Sequence, residues 1–304
     1  MSARGKRDDV HRRLEERYRR LAEARKKRLP AAIATRFTEI DGATLGALVS
    51  IQLFTTVIPL IIIGFDYFSG FAENASPGTL FIREAGLVSP LTERVRAAFG
   101  DSSAFRSNWT CVGVAGFLVW GIPMSITIAG IFARAWRRKQ FGLGQRVLRG
   151  ATWFVLYLTM IALRELIALG GDHTGAIRPL LFAAALVPVW IFWSLTPVLL
   201  VRDGGRGVRY LALAGLAGVV IDGTLLPLAA RILFPPLLSG WNGFGPIGVA
   251  MALMTWCGVI GIGWVLTACV GAVLWERTAP PETVIASQTD NTRIYRNTRS
   301  AEDR

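Results

Sequence analysis

The stretch PIGVAMALMTWCGVIGIGWVLTACVGAVLW, residues 246–275, contains no Asp, Glu, Lys or Arg. About 20 consecutive apolar residues are enough for a helix to cross the hydrocarbon core of a bilayer. The rest of the chain has a similar character, because 52% of its residues are hydrophobic, 18% are charged and the mean hydropathy is +0.42. An ordinary soluble domain is less apolar and more highly charged than this. The sequence therefore predicts an integral membrane protein.

Five further runs, working outward from this stretch, are long and apolar enough to form membrane helices. Together the six predicted spans cover residues 43–65, 108–133, 151–169, 178–201, 208–232 and 246–275. The first apolar run begins near Ala43, which is late for a cleaved signal peptide, so the first span should be a retained anchor. We expect an all-α, polytopic membrane protein with six transmembrane helices.

Arginine and lysine are unevenly distributed between the segments that connect the spans. They are concentrated in the N-terminal arm, in residues 134–150 and 201–209, and in the C-terminal tail, whereas residues 170–176 and 234–246 hold almost none. Because positive charge marks the cytoplasmic side of membrane proteins, both termini are predicted to be cytoplasmic. The net charge of +13 is then explained by topology, and we expect no nucleic-acid partner.

The two ends of the chain differ from the transmembrane domain, which we place at residues 36–277. Residues 1–35 are predicted to form a basic cytoplasmic helix that ends at Pro30. Anionic lipid headgroups would attract such a helix by about 1 kcal/mol for each basic side chain near the surface; a solvated helix with no specific partner is the alternative. Residues 278–304 lack apolar periodicity, which predicts a disordered cytoplasmic tail.

The first external connection, residues 66–107, contains a further helical pattern. The segment SPLTERVRAAFG, residues 89–100, begins with Ser-Pro and places Leu91, Val95 and Phe99 at helical spacing. This spacing predicts a short amphipathic helix on the outer surface of the membrane.

Three charged side chains fall deep within the predicted spans, where each costs about 2.5–3.5 kcal/mol on insertion scales. Arg164 and Glu165 lie in the third span and Asp222 in the fifth. Counted from the cytoplasmic ends at about 1.5 Å per residue, Arg164 and Asp222 lie about 20 Å and about 18 Å deep, so we expect them to pair. Ala214, Gly218 and Asp222 share a face of small residues that turns Asp222 into the bundle. The charges form either a structural ion-pair network or a substrate or ion pathway.

Arg231 lies about one bilayer thickness along the fifth span. Its long side chain either reaches the outer interface by snorkelling or pairs with a group such as Glu165.

Prolines interrupt most of the spans, and each removes a backbone donor and frees the carbonyl four residues earlier. We expect helix kinks at Pro59, Pro123, Pro188, Pro197 and Pro227. The freed carbonyls lie near polar side chains, namely Ser50, Gln52, Thr55, Thr56, Ser194 and Thr196. Together they favour a polar cavity between the helices, with packing alone as the alternative.

The chain lacks the motifs of common catalytic sites. Neither GxxxxGK[ST], HExxH nor GxSxG occurs, so nucleotide hydrolysis, zinc proteolysis and nucleophile-elbow chemistry have no support. The three cysteines form no CxxC pair and the two histidines lie far apart. We therefore expect neither an enzyme nor a protein with a metal or cofactor.

Four stretches resemble the YihY or BrkB-like family of six-span bacterial inner-membrane proteins. They are LVSIQLFTTVIPLI (48–61), IFARAWRRKQ (131–140), TPVLLVRDGGRGVRYLALAGLAGVV (196–220) and NGFGPIGVAMALMTWCGVIGIGWVLTACVGAVLWE (242–276). The most specific part is the loop with Gly243, Gly245 and Pro246, followed by a long Trp-containing span. The acidic residue that such proteins often carry near the end of the last span is replaced here by Ala272 or shifted to Glu276.

This resemblance implies a multi-pass protein of the bacterial inner membrane with a function in the cell envelope. The family was once labelled ribonuclease BN, but no nuclease metal cluster is visible in the sequence. We predict a transporter or translocator of lipids or lipid-linked envelope precursors, whose partners are membrane lipids. The alternative is a virulence or serum-resistance factor or a scaffold that binds envelope-assembly proteins or further copies of itself. A lateral opening between spans would favour the translocator, and a sealed core would favour the scaffold.

Overall fold

The computed structural model describes residues 28–68, 110–169, 177–205, 207–244 and 246–285, with isolated positions between 15 and 26 and between 89 and 93. Every regular element in these ranges is helical. Four helical segments are long and apolar enough to cross a membrane: Leu143–Arg164, Pro179–Leu200, Val208–Gly240 and Ile247–Thr278. The all-α prediction is confirmed, and these segments suit an integral membrane protein. The six-span topology and the cytoplasmic termini stay predictions.

We number the helices in chain order. They are α1 (Leu29–Glu39), α2 (Gly42–Phe68), α3 (Thr110–Ala135), α4 (Leu143–Leu169), α5 (Ile177–Leu200), α6 (Val208–Val220), α7 (Leu226–Gly240) and α8 (Pro246–Thr278). A π-helical turn, Ile221–Leu225, joins α6 to α7, and a 3-10 turn, Asn242–Phe244, precedes α8.

Helices that are adjacent in sequence pack against each other from α2 to α6, and α8 closes the bundle between α2 and α6. The backbones of α2 and α8 approach closely at two glycines, because a Cβ on Gly261 would lie 2.4 Å from the carbonyl oxygen of Gly46. Small residues allow this kind of contact between membrane helices. Among the four long apolar helices, α8 has the largest buried share. This share and its contacts with both α2 and α6 make α8 the central helix of the bundle.

Two helices extend beyond the spans predicted for them. The third span was expected to begin at residue 151, but α4 begins at Leu143, because the basic segment before the apolar run continues the same helix. The fifth span was expected to end at residue 232, but its helical rod continues to Gly240 through Pro235 and Pro236. Apolar content alone therefore marks neither the first turns of α4 nor the end of α7.

The described positions of the N-terminal arm between 15 and 26 are helical, and Arg28 lies outside a helix, which agrees with a helix that ends by Pro30. Pro30 itself lies in the first turn of the next helix, α1, where a proline has no N–H bond to lose. Helix α1 also crosses the predicted domain boundary at residue 35. The predicted surface helix within residues 89–100 lies outside the described residues, apart from Ser89, Thr92 and Glu93.

The start of the C-terminal tail is packed against the bundle rather than disordered. Residues 281–285 form a helical turn, and Ala279, Val284 and Ile285 are buried. Arg25 of the N-terminal arm donates hydrogen bonds to the carbonyls of Glu276 and Ala279. The two tails therefore meet at the end of α8. Residues 286–304 lie outside the described part of the chain.

Candidate functional site

A buried carboxylate lies in the middle of the bundle. Asp222 is only 7% exposed. Its Oδ1 accepts hydrogen bonds from the Tyr157 hydroxyl (3.2 Å) and from Nε1 of Trp264 (3.4 Å). Its Oδ2 accepts one from Nε1 of Trp193 (3.2 Å). Three donors suit a carboxylate, which offers only acceptors when it is ionised. We call these four residues the Asp222 centre.

The π-helical turn sets the position of Asp222 within its helix. Pro227 follows in the first turn of α7 and has no N–H, so a regular α-helix would leave the carbonyl of Gly223 without its partner. Instead the helix widens just before the proline, with bonding that reaches back about five residues rather than four. The irregularity predicted at Pro227 thus takes the form of a π-turn, a feature that is common at functional sites.

Small residues on α6 make room for one of the three donors. A Cβ on Gly218 would lie 2.0 Å from Cγ of Trp193, so glycine is what allows the indole to lie against α6 and reach Asp222. Ala214 and Gly218 are buried with Asp222. The predicted small-residue face that turns Asp222 into the bundle is confirmed.

An aromatic cluster surrounds the Asp222 centre. Trp153 packs against Tyr157, Trp264 and Phe192, with ring centroids 5.5, 5.4 and 5.5 Å apart. Its Nε1 donates to the hydroxyl of Thr196 at 3.1 Å. Trp153 and Phe192 are buried. They form a wall on the side of the centre that faces α4 and α5.

Arg164 is the charged neighbour of this centre. It lies two turns beyond Tyr157 on the same face of α4, and its charge acts on both Tyr157 and Asp222. Direct contact between Arg164 and Asp222 stays a prediction. Tyr157, which donates to Asp222, lies seven residues before Arg164 on α4, and the expected match in depth between Arg164 and Asp222 also stays a prediction.

Of the other predicted polar residues, Arg231, Thr56 and Gln52 are not among the described hydrogen-bond partners of Asp222. Glu165 lies in α4, but its side chain is outside the described part of the structure. Arg231 is exposed on α7, as the snorkelling alternative predicts. Thr56 is buried and donates to the carbonyl of Gln52 at 2.6 Å. The side-chain carbonyl of Gln52 is buried and has no hydrogen-bond donor among the described residues.

A laterally open groove of about 490 Å³ lies between α4 and α5. This volume is in the usual range for a ligand site, about 300–1,000 Å³. Trp153 and Phe192 form the inner wall of the groove, so the same two rings separate it from the Asp222 centre. The outer lining is mostly exposed apolar side chains: Leu156, Leu163, Val187, Ile191 and Leu195. Arg149 lies at one end.

The predicted proline sites have different surroundings. Pro123 lies within α3, Pro59 within α2, and Pro188 and Pro197 within α5. These helices continue through the prolines, and bending there stays a prediction. Pro188 lines the groove. Of the polar residues expected near a cavity, Thr196 lines this groove together with Thr159; a polar cavity beside Gln52 and Thr56 stays a prediction.

The predicted family loop is described only in part. Gly243 is exposed in the 3-10 turn, and a Cβ there would have no neighbouring atom within 4 Å. Pro246 begins α8, and Gly245 lies outside the described residues. A close-packing role for Gly243 has no support in this structure.

A second charged cluster, which the sequence analysis missed, lies where α1 meets the end of α8. Arg36 is 4% exposed, and its Nη2 lies 2.7 Å from Oε2 of Glu276. It also donates to the carbonyl of Ala135 and lies 3.5 Å from Glu39. Arg137 joins the cluster by an ion pair with Glu39, in which Nη2 of Arg137 lies 2.6 Å from Oε2 of Glu39. Glu276 at the end of α8 thus binds α1 through Arg36.

No family model, curated protein or solved structure matches this chain. Among the described residues, no group of three His, Cys, Asp or Glu side chains could hold a metal ion. The described residues form an all-helical bundle with long apolar helices, a buried carboxylate held by aromatic donors, and an apolar groove at the surface of the bundle.

Proposed function

We propose that the protein translocates membrane lipids, or lipid-linked envelope precursors, along the groove between α4 and α5. The groove itself is the observation that supports this function. It extends from Arg149 to Leu163 along α4, about 21 Å at about 1.5 Å per residue. That length is more than half of a hydrocarbon core about 30 Å thick. Its exposed apolar lining suits an acyl chain that enters sideways from the bilayer.

A polar headgroup needs polar partners when it leaves water, because an unpaired polar group costs several kcal/mol in hydrocarbon. Asp222 supplies a buried carboxylate behind the wall of Trp153 and Phe192, and Arg164 supplies a cation two turns beyond Tyr157 on α4. Displacement of this wall would join the groove to the Asp222 centre. We propose that such a displacement lets the headgroup pass while the acyl chain stays in the groove.

A bacterial inner-membrane location and membership of the YihY or BrkB-like family remain part of this proposal. The scaffold alternative draws less support from the structure. A scaffold could recruit partners through its basic N-terminal arm, but Arg25 of the arm and Arg36 of α1 are engaged with the end of α8.

The purified protein in proteoliposomes is expected to move a fluorescent phospholipid between leaflets. Dithionite added outside should then bleach inner-leaflet label as well as the outer-leaflet fraction. The measurement is made with and without an imposed proton gradient, which separates energised from passive translocation. Protein-free vesicles and vesicles with heat-inactivated protein serve as controls. Bleaching that stops at the outer-leaflet fraction under every condition would argue against translocation.

A further inference from the structure

Arg149 is the charged side chain among those that line the groove. The rest of the lining is apolar except for Thr159 and Thr196. Their hydroxyls donate to carbonyls of their own helices, those of Val155 and Phe192, at 2.9 Å each. The groove therefore combines a cationic end with a long apolar body.

Two contacts fix the guanidinium of Arg149 at this end. Its Nη1 donates to the carbonyl of Leu199 at 2.9 Å, and its Cζ lies 4.1 Å from the centroid of the Phe141 ring. The aromatic ring supports the cation. The bond to Leu199 uses one of the five N–H donors of an arginine. Arginine binds phosphate oxygens through such donors, often two at a time.

The surroundings of Arg149 are basic. Residues 134–150 contain six arginines and lysines and no aspartate or glutamate. Clusters of this kind attract anionic lipids at the membrane surface. The apolar body starts at Arg149 and continues for about 21 Å, which exceeds the thickness of one leaflet, about 15 Å if the core is about 30 Å. A headgroup at Arg149 would thus allow its acyl chain to lie entirely along the groove.

We infer that this groove is a binding site for a phospholipid whose headgroup carries a net negative charge. The phosphate binds Arg149, and one acyl chain lies along Leu156, Leu163 and Leu195. The inference rests on the proposed function in treating the groove as the path of the lipid, but lipid binding is measured without transport.

Native mass spectrometry of the detergent-solubilised protein measures this binding directly. With phosphatidylglycerol and phosphatidylcholine supplied together, we expect preferential retention of phosphatidylglycerol. Arg149→Gln should lower that preference by about tenfold, equivalent to the loss of one charged contact. The matched control is Arg209→Gln, which removes an exposed charge of the neighbouring basic segment and should retain the preference. Arg149→Lys keeps the charge but not the paired donors, and should give an intermediate preference even if the glutamine variant folds poorly.

The outcomes separate this inference from the proposed function. An equal loss of the phosphatidylglycerol preference in Arg149→Gln and Arg209→Gln would overturn the site, because the preference would then come from diffuse attraction between basic residues and anionic lipid. The binding site would also be overturned if both Arg149→Lys and Arg149→Gln kept the wild-type preference for phosphatidylglycerol. Glycerol phosphate, which has no acyl chain, should not compete with phosphatidylglycerol; effective competition would mean that the site binds free phosphate. Selective binding of phosphatidylglycerol without translocation would support this binding site and contradict the proposed translocation. Translocation without Arg149-dependent binding would support the proposed function and contradict this site.

Discussion

Replacement of Asp222 by alanine is expected to destabilise the protein by about 3 kcal/mol or more. The substitution leaves the donors of Tyr157, Trp193 and Trp264 without their carboxylate acceptor. Each buried donor without a partner costs about 1–3 kcal/mol, and local relaxation makes the total less than the sum. Asp222→Asn retains one acceptor oxygen and should cost about 1–2 kcal/mol. Unfolding in mixed detergent micelles, followed by tryptophan fluorescence, measures both.

Thr224 provides the matched control for this prediction, because it lies in the same π-turn and is exposed. Thr224→Ala should change the free energy of unfolding by about 0.5 kcal/mol or less. If Asp222→Ala were as mild as this control, the three aromatic donors could not be held by the carboxylate.

The interaction between Arg164 and Asp222 is measured in the same unfolding assay. A cycle of Asp222→Asn, Arg164→Gln and the double variant should give a coupling energy of about 0.5–3 kcal/mol, as neighbouring residues do. Removal of both charges should cost less than the sum of the single costs, since neither charge is then left without its partner. Simple additivity would show that Arg164 and Asp222 do not interact energetically.

Replacement of Arg36 by methionine is expected to have the second large effect. It should lower the free energy of unfolding by about 3–5 kcal/mol, as in other buried ion pairs that lose one partner. Arg36 and Glu276 are 4% and 12% exposed, and their closest atoms are 2.7 Å apart. Methionine fills the space of the arginine stem but leaves the Glu276 carboxylate without its partner. The double variant Arg36→Met/Glu276→Leu should be more stable than Arg36→Met alone, because both charges are then absent.

The exposed pair beside it gives a matched comparison. Arg137 and Glu39 are 46% and 41% exposed although they lie only 2.6 Å apart. Such surface pairs contribute about 0–1 kcal/mol, so Arg137→Gln should have a small effect in the same unfolding assay. If Arg36→Met and Arg137→Gln lowered the free energy of unfolding by similar amounts, burial would not determine how much each ion pair contributes to stability.

The sequence predicted the helices well because apolar runs of about 20 residues leave little alternative. It also predicted that Asp222 faces inward, since Ala214 and Gly218 lie on the same face of the helix. Helix ends were less predictable. Basic residues extended α4 back to Leu143, and hydropathy cannot distinguish a helical turn in the interface from a loop.

The partners of Asp222 depended on three-dimensional packing. Its hydrogen-bond donors come from α4, α5 and α8, and their register relative to each other is set by close contacts such as Gly218 with Trp193. One signal was available, because tryptophan and tyrosine usually find an acceptor when they are buried. Apolar helices that combine several aromatic donors with a carboxylate on a small-residue face, such as Asp222, therefore indicate this pairing. The groove had no such signal, since its lining is ordinary lipid-facing sequence.

Translocation by two tryptophan variants tests most directly whether lipid moves along the groove. Leu195 lines the groove and is 53% exposed, whereas Leu213 lies on α6 and is 43% exposed. Leu195→Trp should fill the groove and slow fluorescent-lipid translocation in proteoliposomes by about tenfold, or about 1.4 kcal/mol in the barrier, while Leu213→Trp should translocate at the wild-type rate. Equal rates for the two variants, at matched protein content and stability, would contradict a pathway between α4 and α5.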